Sequence, residues 1–216
     1  MAPLKIGILG AARIADEGIV DPSRVLGHRL VAVAARDRSR AEAFAAQRDV
    51  EKLHQTYAEV IDDPEVAVVY NALVNSLHAQ WNQYALNAGK HVLSEKPFAR
   101  NAAEASLVRN VARTAIGQIV EGFHYLHHPV NQRLRELVTS GELGEVQQVD
   151  IELSIPGPPD SDPRWSLELA GGATMDLGCY VLNAARQFGR WLDQAPSVVS
   201  ARSHPEEAQC RRLHAC

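Results

Sequence analysis

The feature that most constrains this chain is an alternation in its first 123 residues between short apolar runs and alanine-rich stretches of helical spacing. The runs Lys5–Leu9, Leu30–Ala35, Val66–Tyr70, His91–Ser94 and Ile119–Phe123 are rich in Val, Ile or Leu. Each reads as a strand buried on both faces. Between them, Arg40–Arg48, Ala79–Asn87 and Ala102–Thr114 read as helices, with Gly89 and Gly117 where helix C-terminal caps fall. Strand–helix–strand order with buried strands predicts an α/β fold: a doubly wound parallel sheet with helices on both faces.

The pattern changes near His124. Val130–Ser140 reads as a helix, with Leu134, Leu137 and Val138 on one stripe and Gly141 as its stop. Val146–Ile155 alternates instead, with Val149, Ile151, Leu153 and Ile155 on one face and Asp150, Glu152 and Ser154 on the other. That is the signature of a strand with one wet face, hence of an antiparallel sheet. A Pro-rich loop, Pro156–Pro163, a helix over Ala173–Phe188 and a short strand, Ser197–Ala201, follow. A half-wet sheet needs more strands than these two. The expected organisation is therefore a parallel α/β domain over 1–123, an incomplete α+β domain with an open, mostly antiparallel sheet over 124–202, and an atypical tail over 203–216 that reads as C-terminal truncation.

Composition narrows the function. With 46% apolar residues in 216, the chain can bury one large core or two modest ones. A net charge of −4 argues against nucleic-acid or membrane-surface binding, which needs a basic excess. The first apolar run, Ile6–Leu9, is too short for a signal core or a membrane span. Cys179, Cys210 and Cys216 are odd in number and late in the chain, which fits a reducing cytoplasm better than a disulfide framework.

The first strand runs into Gly10-Ala11-Ala12-Arg13-Ile14-Ala15, a relaxed G-x-G-x-x-G/A pattern. Gly10 permits the tight turn, Ala12 lets backbone approach a pyrophosphate, and Ala15 lets the helix pack close to the sheet. The helix start then offers N–H groups and a positive dipole to phosphate. The second strand ends in Arg36-Asp37-Arg38-Ser39-Arg40. An Arg at that position favours a 2′-phosphate and so NADP, whereas an acid there would read the 2′-hydroxyl of NAD. Arg36 makes NADP the expected cofactor, and Asp37 keeps NAD as the alternative. In the competing reading, Asp37 or Ser39 caps the next helix and Arg38 and Arg40 are solvated.

Three further motifs line up with this turn: Asn71-Ala72-Leu73-Val74-Asn75-Ser76-Leu77-His78, Ser94-Glu95-Lys96-Pro97-Phe98, and Gly171-Gly172-Ala173-Thr174-Met175-Asp176-Leu177-Gly178-Cys179-Tyr180. With Gly7–Ala15 they resemble the glucose–fructose oxidoreductase, inositol dehydrogenase and rhizopine catabolism family, abbreviated Gfo/Idh/MocA, over about residues 3–202. The tyrosine at 180 is most similar to the dihydrodiol dehydrogenase and NADP-dependent xylose dehydrogenase branch. The resemblance implies that residues 1–123 form a dinucleotide-binding Rossmann domain, followed by a domain with an open sheet, and it implies hydride transfer between a nicotinamide and a hydroxyl-bearing carbon of a sugar, polyol or diol. It also implies a homodimer for a full-length relative and no metal. Lys96 and Tyr180 match the family's catalytic lysine and acid/base, and Asp176 its acidic position. Asn75, His78, Glu95 and Pro97 match the cofactor cleft. These roles are chemically reasonable. An ammonium such as Lys96 stabilises charge developing on oxygen, and a donor such as Tyr180 quenches it. Asp176 and Tyr180, four apart, are expected on one helix face.

His124, His127 and His128 invite a metal reading, but no carboxylate or Cys partner accompanies them, and a place near the substrate is the better expectation. Where relatives often carry a Met-Tyr-Arg run, this chain has Leu126 in place of the arginine. Two other functions compete: a dinucleotide-binding remnant or regulator without catalysis, and a glycosidase that uses the cofactor transiently.

Overall fold

In the computed structural model, which describes residues 2–202, the chain forms two units, 1–122 and 123 onward. The tail expected to be atypical, 203–216, lies outside the described residues.

The first unit is a six-stranded sheet in the order β3-β2-β1-β4-β5-β6. Its strands are β1 (Lys5–Leu9), β2 (Arg29–Ala34), β3 (Lys52–Leu53), β4 (Val68–Asn71), β5 (His91–Ser94) and β6 (Ile119–Glu121), and every pairing is parallel. The order reverses between β1 and β4, the switch point at which doubly wound sheets open a crevice. Two apolar layers cover the sheet. Leu9, Val31, Val60, Ile61, Val69, Leu86 and Val108 lie in one, and Ile6, Ile8, Val20, Val33, Phe44 and Tyr70 in the other.

Five helices make the crossovers. A π-helical turn, Asp16–Val20, runs directly into α1 (Asp21–Leu26), and α2 (Arg38–Arg48), α3 (Tyr57–Asp62), α4 (Asn75–Asn87) and α5 (Ala102–Ala112) follow. Side-chain caps set their starts: Asp37 for α2, a reciprocal Thr56–Glu59 capping box for α3, and Asn101 for α5. Gly89 follows the α4 cap at φ +75°, as its position predicts. Gly117 is not a cap. α5 stops at Ala112, and a Cβ on Gly117 would fall 1.9 Å from the Lys90 carbonyl oxygen, so close backbone approach explains that glycine.

The second unit holds α6 (Pro129–Thr139), a π turn over Thr174–Gly178, and α7 (Cys179–Trp191). The expected strands Val146–Ile155 and Ser197–Ala201 pair with nothing among the described residues, and no sheet forms there. The alternation of Val146–Ile155 is correct for a strand, but a ladder needs a partner to take its N–H and C=O groups. Its Val149, Leu153 and Ile155 remain exposed. Of the described hydrophobic residues beyond 122, only Phe123 and Ala170 are buried.

Candidate functional site

Parallel register places four chain exits side by side. Leu9 aligns with Ala34 on one side and Asn71 on the other, and Asn71 aligns with Ser94. Backbone bonds extend the ladder past the strands, from the amides of Gly10, Ala72 and Glu95 to the carbonyls of Ala34, Leu9 and Asn71 (2.8, 3.2 and 2.9 Å). The segments Gly10–Ile14, Ala35–Asp37, Ala72–Asn75 and Glu95–Pro97 therefore leave one edge of the sheet together.

The first exit is shaped for close approach. Gly10 adopts φ +93°, and a Cβ there would meet the Leu73 side chain at 3.1 Å and the Ala72 carbonyl at 3.3 Å. Ala11 and Ala12 add only methyls, and Ala15 is fully buried beneath the helix start. A backbone turn free of bulk before a helix start is what a pyrophosphate needs. The residues present thus fit a dinucleotide.

At the second exit, Asp37 caps α2, accepting from the Arg40 amide (3.2 Å) and the Ser39 hydroxyl (2.7 Å). These two donors hold its carboxyl below the usual range. Arg38 pairs with Glu42. Arg36 is exposed, and its backbone lies close to the Tyr57 hydroxyl. The Tyr57 ring meets Trp81 edge-on at 5.2 Å, and Trp81 meets Tyr84 at 5.6 Å. Arg40 is exposed, as the capping alternative expects, and also donates to the Ala11 carbonyl at 3.0 Å, which sets a guanidinium against the first turn.

Glu95, Lys96 and Pro97 leave β5 over a buried polar layer. Asn71 donates to Asn82 (2.8 Å) and Asn82 to the Ser94 hydroxyl (2.9 Å), all three being fully buried. Glu95 accepts from the Tyr70 hydroxyl at 2.7 Å, and burial followed by the charge of Glu95 pushes the Tyr70 pKa far up. Gly18 makes room for this pair, since a Cβ there would lie 2.5 Å from the Tyr70 oxygen. On the far side, Glu121 accepts from the Phe98 amide at 2.8 Å, and its burial raises its pKa. Lys96 is half-buried, and the Lys96–Pro97 bond is cis. His78, matched to the cleft by sequence, is 1% exposed and faces two carbonyl oxygens, of Pro97 and Leu73. Its ring lies behind the cleft wall.

In the second unit, Tyr180 stands at the start of α7 within an aromatic group. Its ring centroid lies 5.3 Å from that of Phe123, 6.0 Å from Tyr125 and 6.3 Å from His124. Tyr125 donates to Asn183 at 2.6 Å, which fixes the His124–His127 turn on α7. Asp176 lies in the π turn before α7, where the wider winding replaces the single α-helical face expected for Asp176 and Tyr180. It pairs with Arg164 at 3.6 Å. Among the described residues, no group of three or more His, Cys, Asp or Glu is placed to hold a metal ion, and no helix is long and apolar enough to cross a membrane.

Sequence reasoning thus named residues at all four exits, Gly10 through Ile14, Arg36, Asn75, and Glu95 through Pro97. It missed Arg40 as a turn contact, the Tyr70–Glu95 pair, and the Asn71–Asn82–Ser94 layer. A polar residue inside an apolar run was the available signal for Asn71; nothing flagged Asn82.

Comparison with known proteins agrees with this geometry. The family model described as "Oxidoreductase family, NAD-binding Rossmann fold" matches residues 4–123, and the "GFO/IDH/MocA C-terminal domain" model matches residues 131–210. A dTDP-3,4-didehydro-2,6-dideoxy-alpha-D-glucose 3-reductase of Saccharopolyspora spinosa is 38% identical over 208 residues, 96% of this chain and 61% of that protein. A D-xylose 1-dehydrogenase (NADP(+)) of Haloferax volcanii is 37% identical, over 86% of this chain and 57% of that one. A solved 3-ketoreductase of Actinomadura kijaniata, in complex with NADP and TDP-benzene, superposes with a TM-score of 0.81 at 32% identity, over 87% of this chain and 57% of that chain. The chain therefore spans about 60% of the length of the relatives it matches.

Proposed function

The chain belongs to the Gfo/Idh/MocA family of oxidoreductases, whose first domain is an NAD-binding Rossmann fold, and on that premise we propose that it binds NADP(H) and exchanges a hydride with a hydroxyl-bearing carbon of a sugar, polyol or diol. The observation that carries this reading is the convergence of the Gly10 turn, Arg36, Arg40 and Lys96 on adjacent exits of one sheet edge. Reductases and dehydrogenases of sugars among the relatives support the substrate class.

Bound cofactor supplies or accepts the hydride. In this reading the Gly10–Ile14 backbone receives the pyrophosphate, and Arg36 and Arg40 meet the 2′-phosphate. Arg40 is the better placed of the two, because its guanidinium is already docked against Ala11. Lys96 stabilises negative charge on the substrate oxygen, and Tyr180 delivers or removes the proton there. Asp176, restrained by Arg164, orients the turn that leads into the Tyr180 helix. Asn75, at the start of α4, and Glu95, locked by Tyr70, shape the cleft between the exits.

The test is a fluorescence titration with NADPH and NADH. Arg40→Ala is expected to weaken NADPH by roughly 10- to 100-fold, as loss of charge-assisted bonds does, and to leave NADH nearly unchanged. Equal weakening of both would refute the 2′-phosphate assignment. Tyr180→Phe is expected to cut sugar-linked turnover by about 10²–10⁴-fold with cofactor affinity retained. A second reading, cofactor binding without turnover, is favoured by one observation: the second unit of this chain buries only two hydrophobic residues among those described. Cofactor binding in the absence of any turnover with sugars or diols would select it.

A further inference from the structure

A carbonyl oxygen can only accept, so each of the two carbonyl contacts of His78 needs an N–H from the ring. Nδ1 lies 2.7 Å from the Pro97 oxygen and Nε2 lies 2.9 Å from the Leu73 oxygen. A neutral imidazole carries one N–H, and its other nitrogen presents a lone pair. Only the imidazolium donates to both. In the neutral ring one carbonyl faces a lone pair at hydrogen-bond distance, with the ring itself buried.

The two carbonyls belong to two different exits. Leu73 overhangs Gly10, its Cδ2 lying 3.1 Å from where a Cβ on Gly10 would stand. Pro97 follows Lys96 directly. We propose that His78 is a positioning residue that ties the cofactor turn to the Lys96 turn through a proton: the imidazolium clamps both, and the neutral ring holds only one. The Pro97 contact is the shorter, so the neutral ring keeps Nδ1–H on Pro97 and releases Leu73.

The surroundings set a contest over that proton. Burial favours the neutral ring, and so does the Lys96 ammonium; the two carbonyls and the Glu95 carboxylate favour the charged one. Asn71, which donates to the His78 main-chain carbonyl at 3.3 Å, is uncharged. Glu121, across the same turn on the Phe98 amide, is held toward its protonated form by burial. The net result keeps the His78 pKa below the ordinary histidine range, so the double clamp forms as the pH falls.

The consequence for cofactor rests on the dinucleotide reading above; the clamp itself does not. The first measurement is therefore made without cofactor. Ring nitrogens of the ¹⁵N-histidine-labelled chain are followed by NMR from about pH 8 down to the acid limit of the folded chain, because the transition lies below the ordinary histidine range. The expected result is a His78 titration in which the Val74 amide, joined to the Leu73 carbonyl, shifts more than the Phe98 amide. A His78 ring fixed in one neutral tautomer throughout would overturn the proposal. The second measurement is NADPH affinity against pH. In the wild type it should tighten about fivefold across the same transition, the worth of one hydrogen bond. In His78→Gln, which donates but takes up no proton, that component should vanish and leave only the titration of the 2′-phosphate itself, common to both proteins. Identical profiles would also overturn the proposal. If His78→Gln does not fold, the wild-type ring titration decides. If the wild type binds no NADPH at any pH, the cofactor reading fails while the ring titration still decides the clamp.

Discussion

Replacing Gly18 by alanine tests whether the Tyr70–Glu95 pair governs this part of the fold. The residue lies in the π turn after the cofactor loop, and an alanine there should gain up to about 1 kcal/mol of helical preference over glycine. Against that gain, the new Cβ would stand 2.5 Å from the Tyr70 oxygen, which real contacts do not tolerate. Tyr70 is fully buried and cannot swing aside. Its hydroxyl must leave Glu95, and a hydrogen bond to a charged partner contributes about 1.5–3 kcal/mol. The net expectation is a loss of about 1–2 kcal/mol. In a Tyr70→Phe background the oxygen is gone, and the nearest ring atom is Cζ at 3.2 Å, a tight but adjustable contact. There the same substitution should be neutral or slightly stabilising. The double-mutant cycle is measured by urea unfolding with circular dichroism, and a coupling of about 2 kcal/mol is expected. An equal cost of Gly18→Ala in both backgrounds would refute the reasoning.

Three further outcomes follow from other parts of the structure. Asn82→Ala removes two buried hydrogen bonds and leaves Asn71 and Ser94 partly unpaired, so unfolding should show a loss of about 2–5 kcal/mol, with Asn82→Asp no milder. Burial pushes the Asp63 carboxyl up, but Lys52, the Glu65 amide and His54 outweigh it and hold the pKa at about 2. Because the folded value lies below the unfolded 3.8, the stabilisation is present above about pH 4 and is lost as the pH falls toward 2. Acid titrations should show it as about 1–2 kcal/mol missing from Asp63→Asn, allowing for screening near the surface. Brief proteinase K digestion should cut first within residues 145–162, where no backbone ladder forms, and leave a fragment containing 1–122. Survival of the 145–162 segment as long as the sheet would contradict the burial difference between the units.

Much of the first unit was legible because its chemistry is local. Buried strands such as Ile6–Leu9 and Leu30–Ala34 announce themselves by continuous apolar character, and Gly10 marks the turn by a conformation other residues avoid. Strand β3 escaped notice because its two residues, Lys52 and Leu53, carry no period. The helical stretch from Asp16 was expected from the turn before it, although Gly18 and Pro22 argue against a helix in isolation. Packing overrides them, with the glycine serving Tyr70 and the proline falling in the first turn of α1. Arg40 and His78 show the other limit. Sequence gives the type of a side chain and its neighbours along the chain, whereas the partners here, Ala11 and Pro97, arrive from elements 29 and 19 residues away. Val146–Ile155 shows that alternation encodes readiness to pair but does not supply the neighbour.

The Trp81 ring gives the chain a built-in optical reporter. Among the described residues it is the one indole of the first unit, and it meets the ring of Tyr57, whose hydroxyl lies close to the Arg36 backbone. Any ligand that reorganises the Arg36 loop must disturb that phenol and, through it, the emission of a single identifiable fluorophore. Trp165 and Trp191 belong to the second unit, so Trp165→Phe with Trp191→Phe would leave a protein whose indole emission reports on the surroundings of Trp81 alone.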